Sequence, residues 1–252
     1  MKLDFKVFKF VNLCGTFYKQ GILVFTTNGN SILSLVEIEF YSISLTLPFE
    51  NLKNISRIAL SPNGILLLSI YESILCNFER RIILHRFNFK KKVLDLKFSP
   101  NDSQYFLTTS KDMNAKMYSL HSLEDFVPIT LSGHRNIVIS AFFSNDQETV
   151  YTVSKDGTIF VWKDPDSEKM QNDDDLPENM QQALKRTRID IESNTRKRKY
   201  RRWWVTQREY FNQIKVQCAN FHIQNNLLVV GFTSGIFGLY KLPDFKNIHT
   251  LR

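Results

Sequence analysis

Three side-chain types that can build a nucleophilic centre lie close together in the chain: His134, Ser154 and Asp156. In a hydrolytic triad the imidazole takes a proton from the hydroxyl and the carboxylate orients the imidazole. The same three types, buried and mutually hydrogen-bonded, can instead lock a fold, provided every member is paired. The neighbouring residues favour the lock. His134 follows Gly133, and Ser154 opens the tight-turn sequence Ser154-Lys155-Asp156-Gly157. That turn joins two β-branched and aromatic runs in "TVSKDGTIFVWK", which closes on Trp162 and Lys163. The indole N–H of Trp162 supplies one more donor for a structural network. No catalytic residue is therefore assigned. The remaining histidines, His85, His121, His222 and His249, are isolated and lack the HExxH or paired spacing of a metal site. Neither a phosphate-binding glycine loop nor a GxSxG nucleophile elbow occurs. No metal, no cofactor and no small-molecule substrate are expected.

The chain that positions these residues has 252 amino acids, 43% of them hydrophobic and 23% charged, as in an ordinary globular protein. Aromatic residues make up 13%, with 21 Phe, which suits packed β structure. No apolar run is long enough to span a bilayer, and the start "MKLDFKVFKF" interleaves charge with Phe, unlike a secretory signal. Cys14, Cys76 and Cys218 are scattered without CxxC spacing and read as reduced and buried, in the cytosol or nucleus. The net charge is +8, which favours an acidic partner, nucleic acid foremost.

The turn has a second copy. "TTSKDMNAKMYS", Thr108 to Ser119, aligns without a gap to Thr152–Lys163, matching Ser110 to Ser154, Asp112 to Asp156 and Tyr118 to Trp162. An apolar run entering a polar turn recurs as "GILVFTTNG", "ISRIALSPNG", "VLDLKFSPND", "VISAFFSNDQ" and "VQCANFHIQNN". With Thr26, Ser61, Ser99, Ser144 and His222 as equivalent points, the spacings are 35, 38, 45 and 78 residues. The long spacing contains Asp164–Arg202, a 39-residue segment of different composition. Without it that spacing falls to 39, within the 35 to 45 of the others, so the chain holds about five units of several short strands each. That is the signature of a β-propeller, and the whole chain, 1–252, reads as a single all-β domain. Val138, Ser140 and Phe142, alternating with Ile139, Ala141 and Phe143, fit a strand buried on both faces between neighbouring blades.

The spacing of Gly133-His134, Ser154, Asp156 and Trp162 resembles the WD repeat. By that resemblance His134, Ser154, Asp156 and Trp162 form a hydrogen-bonded network in which the aspartate accepts, the histidine relays and the indole closes the chain. Ser110 and Asp112 keep part of it in the third blade, with Tyr118 in the tryptophan's place. The fifth blade has Ser234 for the aspartate and Tyr240 for the tryptophan, and the second has only Glu72 and Phe78 nearby. These blades are expected to rest on apolar packing. Five blades also leave room for an open seam between first and last.

The segment 164–202 starts acidic, with Asp173-Asp174-Asp175, and turns basic, ending in Arg196, Lys197, Arg198, Lys199, Tyr200, Arg201 and Arg202. Low apolar content and blocks of like charge predict a disordered insert, with a short helix over Gln181–Ile191. The basic run has three readings: a nuclear import signal, an RNA phosphate contact, or a solvated charge run. Trp203-Trp204 either resume the sheet or stack on bases.

Longer stretches carry a closer likeness. "FVNLCGTFYKQG" (Phe10–Gly21), "LHRFNFK" (Leu84–Lys90), "SGHRNIVISAFFSNDQETVYTVSKDGTIFVW" (Ser132–Trp162) and "LLVVGFTSGIFGLYKLPDFKNIHTL" (Leu227–Leu251) resemble the periodic tryptophan protein 2 family, as does an acidic insert between the last two. The resemblance covers essentially the whole chain, as a shortened N-terminal propeller region. It implies a non-enzymatic scaffold in the nucleus and nucleolus, within the UTP-B part of the small-subunit processome, acting in 18S rRNA maturation. The implied partners are other WD-repeat processome subunits and pre-rRNA with its small nucleolar RNP, and no membrane. The alternative is a stand-alone RNA-binding adaptor working through its basic surface and insert.

Overall fold

The computed structural model describes residues 13–18, 21–28, 30–37, 42–48, 57–70, 74–78, 80, 82–89, 91–101, 104–120, 127–163, 203–211 and 215–251. The insert 164–202, with its basic run and the helix expected at 181–191, lies outside them. The described residues form five four-stranded antiparallel sheets, each a simple meander in chain order. The first is β1 (Leu13–Tyr18), β2 (Gly21–Asn28), β3 (Asn30–Glu37) and β4 (Ser42–Pro48). The second is β5 (Arg57–Leu60), β6 (Leu66–Ile70), β7 (Ile74–Asn77) and β8 (Ile82–Arg86). The third is β9 (Val93–Phe98), β10 (Tyr105–Ser110), β11 (Ala115–Ser119) and β12 (Ile129–Leu131). The fourth is β13 (Val138–Phe143), β14 (Thr149–Ser154), β15 (Thr158–Lys163) and β16 (Trp204–Tyr210). The fifth is β17 (Val216–His222), β18 (Leu227–Phe232), β19 (Phe237–Lys241) and β20 (Lys246–Leu251).

The sheets are blades. Their first strands pack in sequence, β1 on β5, β5 on β9, β9 on β13 and β13 on β17. Among the described residues no contact of similar extent joins β17 to β1. The third and fourth blades lie between two neighbours and bury both faces, which is why their strands read as nearly continuous apolar runs. Val150, Phe160 and Trp162 pack with Leu107, Met117 and Leu131 of the third blade. Tyr151, Val153, Ile159 and Val161 point the other way, into a cluster with Val216, Leu228 and Val230 of the fifth.

The sequence-based alternation in β13 needs one correction. A register shift lies between Val138 and Ser140. It leaves Val138 in the cluster with Ala141 and Phe143, while Ile139 packs with Phe142 on the opposite side. An extra residue in one strand exchanges the two faces beyond it.

The turn between the first and second strands is built the same way in blades two to four. Ser61 N–H donates to Leu66 O at 2.8 Å, Ser99 N–H to Tyr105 O at 2.8 Å and Ser144 N–H to Thr149 O at 2.8 Å. Each serine hydroxyl accepts the returning N–H, of Leu66 at 2.8 Å, Tyr105 at 3.2 Å and Thr149 at 3.1 Å. The recurring serine was thus visible in sequence because its hydroxyl replaces a ladder partner where the strands separate. The first unit departs from the expected alignment. "GILVFTTN" is the second strand, β2, and pairs with the third, β3; the first strand is "LCGTFY".

Of the cysteines, Cys76 is buried, and burial pushes its thiol up to about 11. Cys218 is exposed, contrary to expectation: in β17 it lies in the exposed stretch between buried Val216 and Phe221. Trp203 is buried in the cluster around Trp162, and Trp204 begins β16, so the pair resumes the sheet.

Candidate functional site

Gly133 lies at φ 143°, a conformation that a side chain disfavours, and a Cβ there would meet Phe160 Cε2 at 3.3 Å. The missing side chain lets the following His134 lie flat on Phe160, with ring centroids 4.0 Å apart and an interplanar angle of 15°. Arg208 of β16 also approaches that ring, its Cζ 5.1 Å from the centroid. Gly157 at φ 87° closes the β14–β15 turn, donating its N–H to Ser154 O at 3.1 Å.

His134 reaches inward to Thr152. Its Nε2 lies 2.7 Å from Thr152 Oγ1, and Trp162 Nε1–H donates to the same oxygen at 2.9 Å. Thr152 is completely buried. Its hydroxyl is fully used when it accepts from the indole and donates to a neutral imidazole. Burial lowers the His134 pKa to about 4, against the opposing charge of Asp156, so the neutral ring is the resident form.

Thr152, and not Ser154, is therefore the hub. Ser154 Oγ donates to Ile137 O at 3.2 Å. In the β14–β15 ladder Thr152 faces Phe160 and Val150 faces Trp162, so the threonine is one diagonal step from the indole. Ser154 sits two residues nearer the turn, about 7 Å further along the strand. The expected relay from Asp156 through His134 is absent, since His134 Nδ1 has no hydrogen-bond partner among the described residues. Asp156 instead organises its own turn, accepting Thr158 N–H at 3.0 Å. Burial pushes the Asp156 pKa up, and the hydrogen bonds from Thr158 and Ser154 and the nearby His134 outweigh it, leaving a net depression. Only the pairing register places Thr152, not Ser154, beside Trp162.

This geometry does not assemble a triad. The serine does not meet the histidine, and the hydroxyl that does is sealed from solvent.

The third blade repeats the plan in apolar form. Phe106 faces Tyr118, and the hydroxyl of buried Thr108 bonds Tyr118, whose phenol burial pushes up to about 12. Ser110 donates to Asp112, which accepts Asn114 N–H at 3.2 Å. Where the fourth blade has Gly-His, this one has Phe87 and Phe89, packed on Tyr118 at 5.7 and 5.5 Å between centroids. In the fifth blade Leu228 faces Tyr240 and buried Val230 stands at the threonine's place, so no hydroxyl hub exists there. In the second, register sets Cys76, not Phe78, at the tryptophan's position, with Ser69 at the threonine's.

These blades and their lock define a WD-repeat β-propeller protein. A WD domain, G-beta repeat, matches residues 127–163. That span contains β12, which closes the third blade, and β13–β15 of the fourth, so one sequence repeat stitches two blades together. Over nearly its full length the chain is similar to proteins named periodic tryptophan protein 2. It is 41% identical to the homolog of Schizosaccharomyces pombe over 97% of the chain and 38% identical to that of Saccharomyces cerevisiae over 100%. The Arabidopsis thaliana protein of that name is 28% identical over 97%. The chain belongs to the periodic tryptophan protein 2 family. It spans about a third of these relatives' length, 34% and 32% of the two fungal proteins.

Proposed function

We propose that the chain is a non-enzymatic scaffold in small-subunit ribosome assembly, placed in the nucleolus within the UTP-B module of the small-subunit processome and needed for 18S rRNA maturation. The observation that carries this reading is the similarity to periodic tryptophan protein 2 relatives across 97 to 100% of the chain. The polar residues that catalysis would need support it further, because they are spent on holding blades. His134 Nε2 and Trp162 Nε1 both meet Thr152 Oγ1 inside the fourth blade, and Ser154 and Asp156 serve its turn. What remains for function is surface. Exposed apolar side chains stand on outer strands, Ile82, Ile83 and Leu84 on β8, and Ile248 and Leu251 on β20, as expected where protein partners pair or pack. The basic run Arg196–Arg202 serves nuclear import or RNA contact in this reading. Affinity purification of the tagged full chain from nuclear extract tests it. Recovery of other WD-repeat processome subunits is expected, and a purification that returns none of them contradicts it.

A further inference from the structure

The connections before each blade's first strand and the turns between its second and third strands emerge at one end of the molecule. In blades three to five that end is basic. Lys91 and Lys92 precede β9, Lys111 is in the β10–β11 turn, Arg135 precedes β13, Lys155 is in the β14–β15 turn and Lys215 precedes β17. Backbone hydrogen bonds hold these segments side by side. Lys111 N–H donates to Lys92 O at 3.2 Å, Lys155 N–H to Ile137 O at 2.9 Å and Val216 N–H to Lys155 O at 3.0 Å. All six side chains are exposed, and among the described residues none makes an ion pair.

The acidic residues at that end are already engaged. Asp112 holds Ser110 and lies 3.9 Å from Lys116, Asp156 holds Thr158, and Glu209 accepts from Gln207 at 2.9 Å. The opposite end of the same blades is mixed, with Asp146, Glu148 and Asp244 beside Lys163, Lys241 and Lys246. Two exposed aromatic rings share the basic end. Tyr210 closes β16 at 68% exposure, next to Phe211, whose N–H donates to Gly157 O at 2.9 Å. Phe237 opens β19 at 46% exposure, beyond the turn where Thr233 N–H donates to Lys215 O at 2.9 Å.

We infer that this end of blades three to five binds single-stranded RNA, with Lys92, Lys111, Arg135, Lys155 and Lys215 following the phosphates and Tyr210 and Phe237 stacking on bases. A row of cations alone fits any polyanion, whereas cations flanked by exposed flat rings fit a strand whose bases are unpaired. Extended lysines on short, fixed turns give contacts without sequence readout, so binding is tolerant of sequence and steeply dependent on salt. The proposal deepens the assembly reading by giving the scaffold an RNA-contacting face. Its failure is separable, because subunit recovery and RNA affinity are read in different assays.

The test is fluorescence anisotropy of the full chain with a labelled 20-nucleotide oligouridine, titrated with NaCl. The variant Lys92→Ser/Lys111→Ser/Lys155→Ser/Lys215→Ser is expected to bind at least about tenfold more weakly at 0.1 M salt, with the log–log salt slope flatter by about 2 to 3. Lys155→Ser alone flattens it by about 0.7 and guards against a quadruple variant that fails to fold. Tyr210→Ser weakens binding about tenfold with the slope unchanged, the mark of lost stacking. Lys241→Ser/Lys246→Ser, at the other end, binds as the parent does. Three results overturn the proposal: no binding by the parent chain, parental affinity and slope in the quadruple variant while removal of the Arg196–Arg202 charges abolishes binding, or displacement of the RNA by poly-glutamate at equal charge, which marks an acidic protein site.

Discussion

At Thr152 one hydroxyl serves two rings, accepting from Trp162 Nε1–H and facing His134 Nε2. Thr152→Val keeps the volume and strands both nitrogens in a sealed interior, at a cost of about 2 to 3 kcal/mol. Ser154→Ala loses one hydroxyl proton, shared between Ile137 O and the Asp156 carboxylate, at about 1 kcal/mol. Urea unfolding of the two variants checks the order, and equal losses would remove Thr152 from the hub. His134 gives the node a pH dependence. Its folded pKa of about 4 is depressed below the ordinary 6.5, so the unfolded chain binds the proton more readily. The stability it supports is fully present above about pH 6.5 and is lost as pH falls towards 4. His134→Gln is therefore expected to be less stable at pH 7 and to lose less on acidification from pH 6.5 to 4. An unchanged acid slope in melting temperature would contradict a buried neutral imidazole.

Between blades, the same plan is executed with different chemistry. Tyr118 in the third blade stacks on Phe106, with centroids 4.9 Å apart and planes at 5°, and takes a hydrogen bond from Thr108. Tyr118→Phe keeps the stack and should cost about 1 kcal/mol, while Phe106→Ala opens a fully buried site and should cost about 3 to 5 kcal/mol. If the hydroxyl matters more than the ring in calorimetry, the third blade is polar-locked after all. The repeating serines at 61, 99 and 144 were readable from sequence because one local geometry, a hydroxyl capping a turn, recurs with one residue type in blades two to four. The face assignment in β13 was not, because the register shift after Val138 depends on its partner β14 and leaves no mark in the period-two pattern. The hub was half readable: Trp162, His134 and the Asp-Gly turn stood out by type, whereas Thr152 is one of several hydroxyls in its run and only pairing register singles it out. The basic end was missed for a related reason. Lys92, Lys111, Arg135, Lys155 and Lys215 are far apart in the chain and meet only because every blade returns its connections to the same side.

For the whole molecule, blades packed face to face leave outer strands and turn ends as the surfaces free for partners. Partner-binding substitutions should then map to those surfaces, and substitutions of His or Cys should act only through the fold. Depletion of the protein followed by pulse-labelling of rRNA tests the central claim most directly. The account predicts that newly made 18S rRNA falls while the large-subunit rRNAs are spared. Undiminished 18S rRNA under full depletion, or an equal fall in both subunits' rRNAs, would contradict a scaffold dedicated to the small subunit.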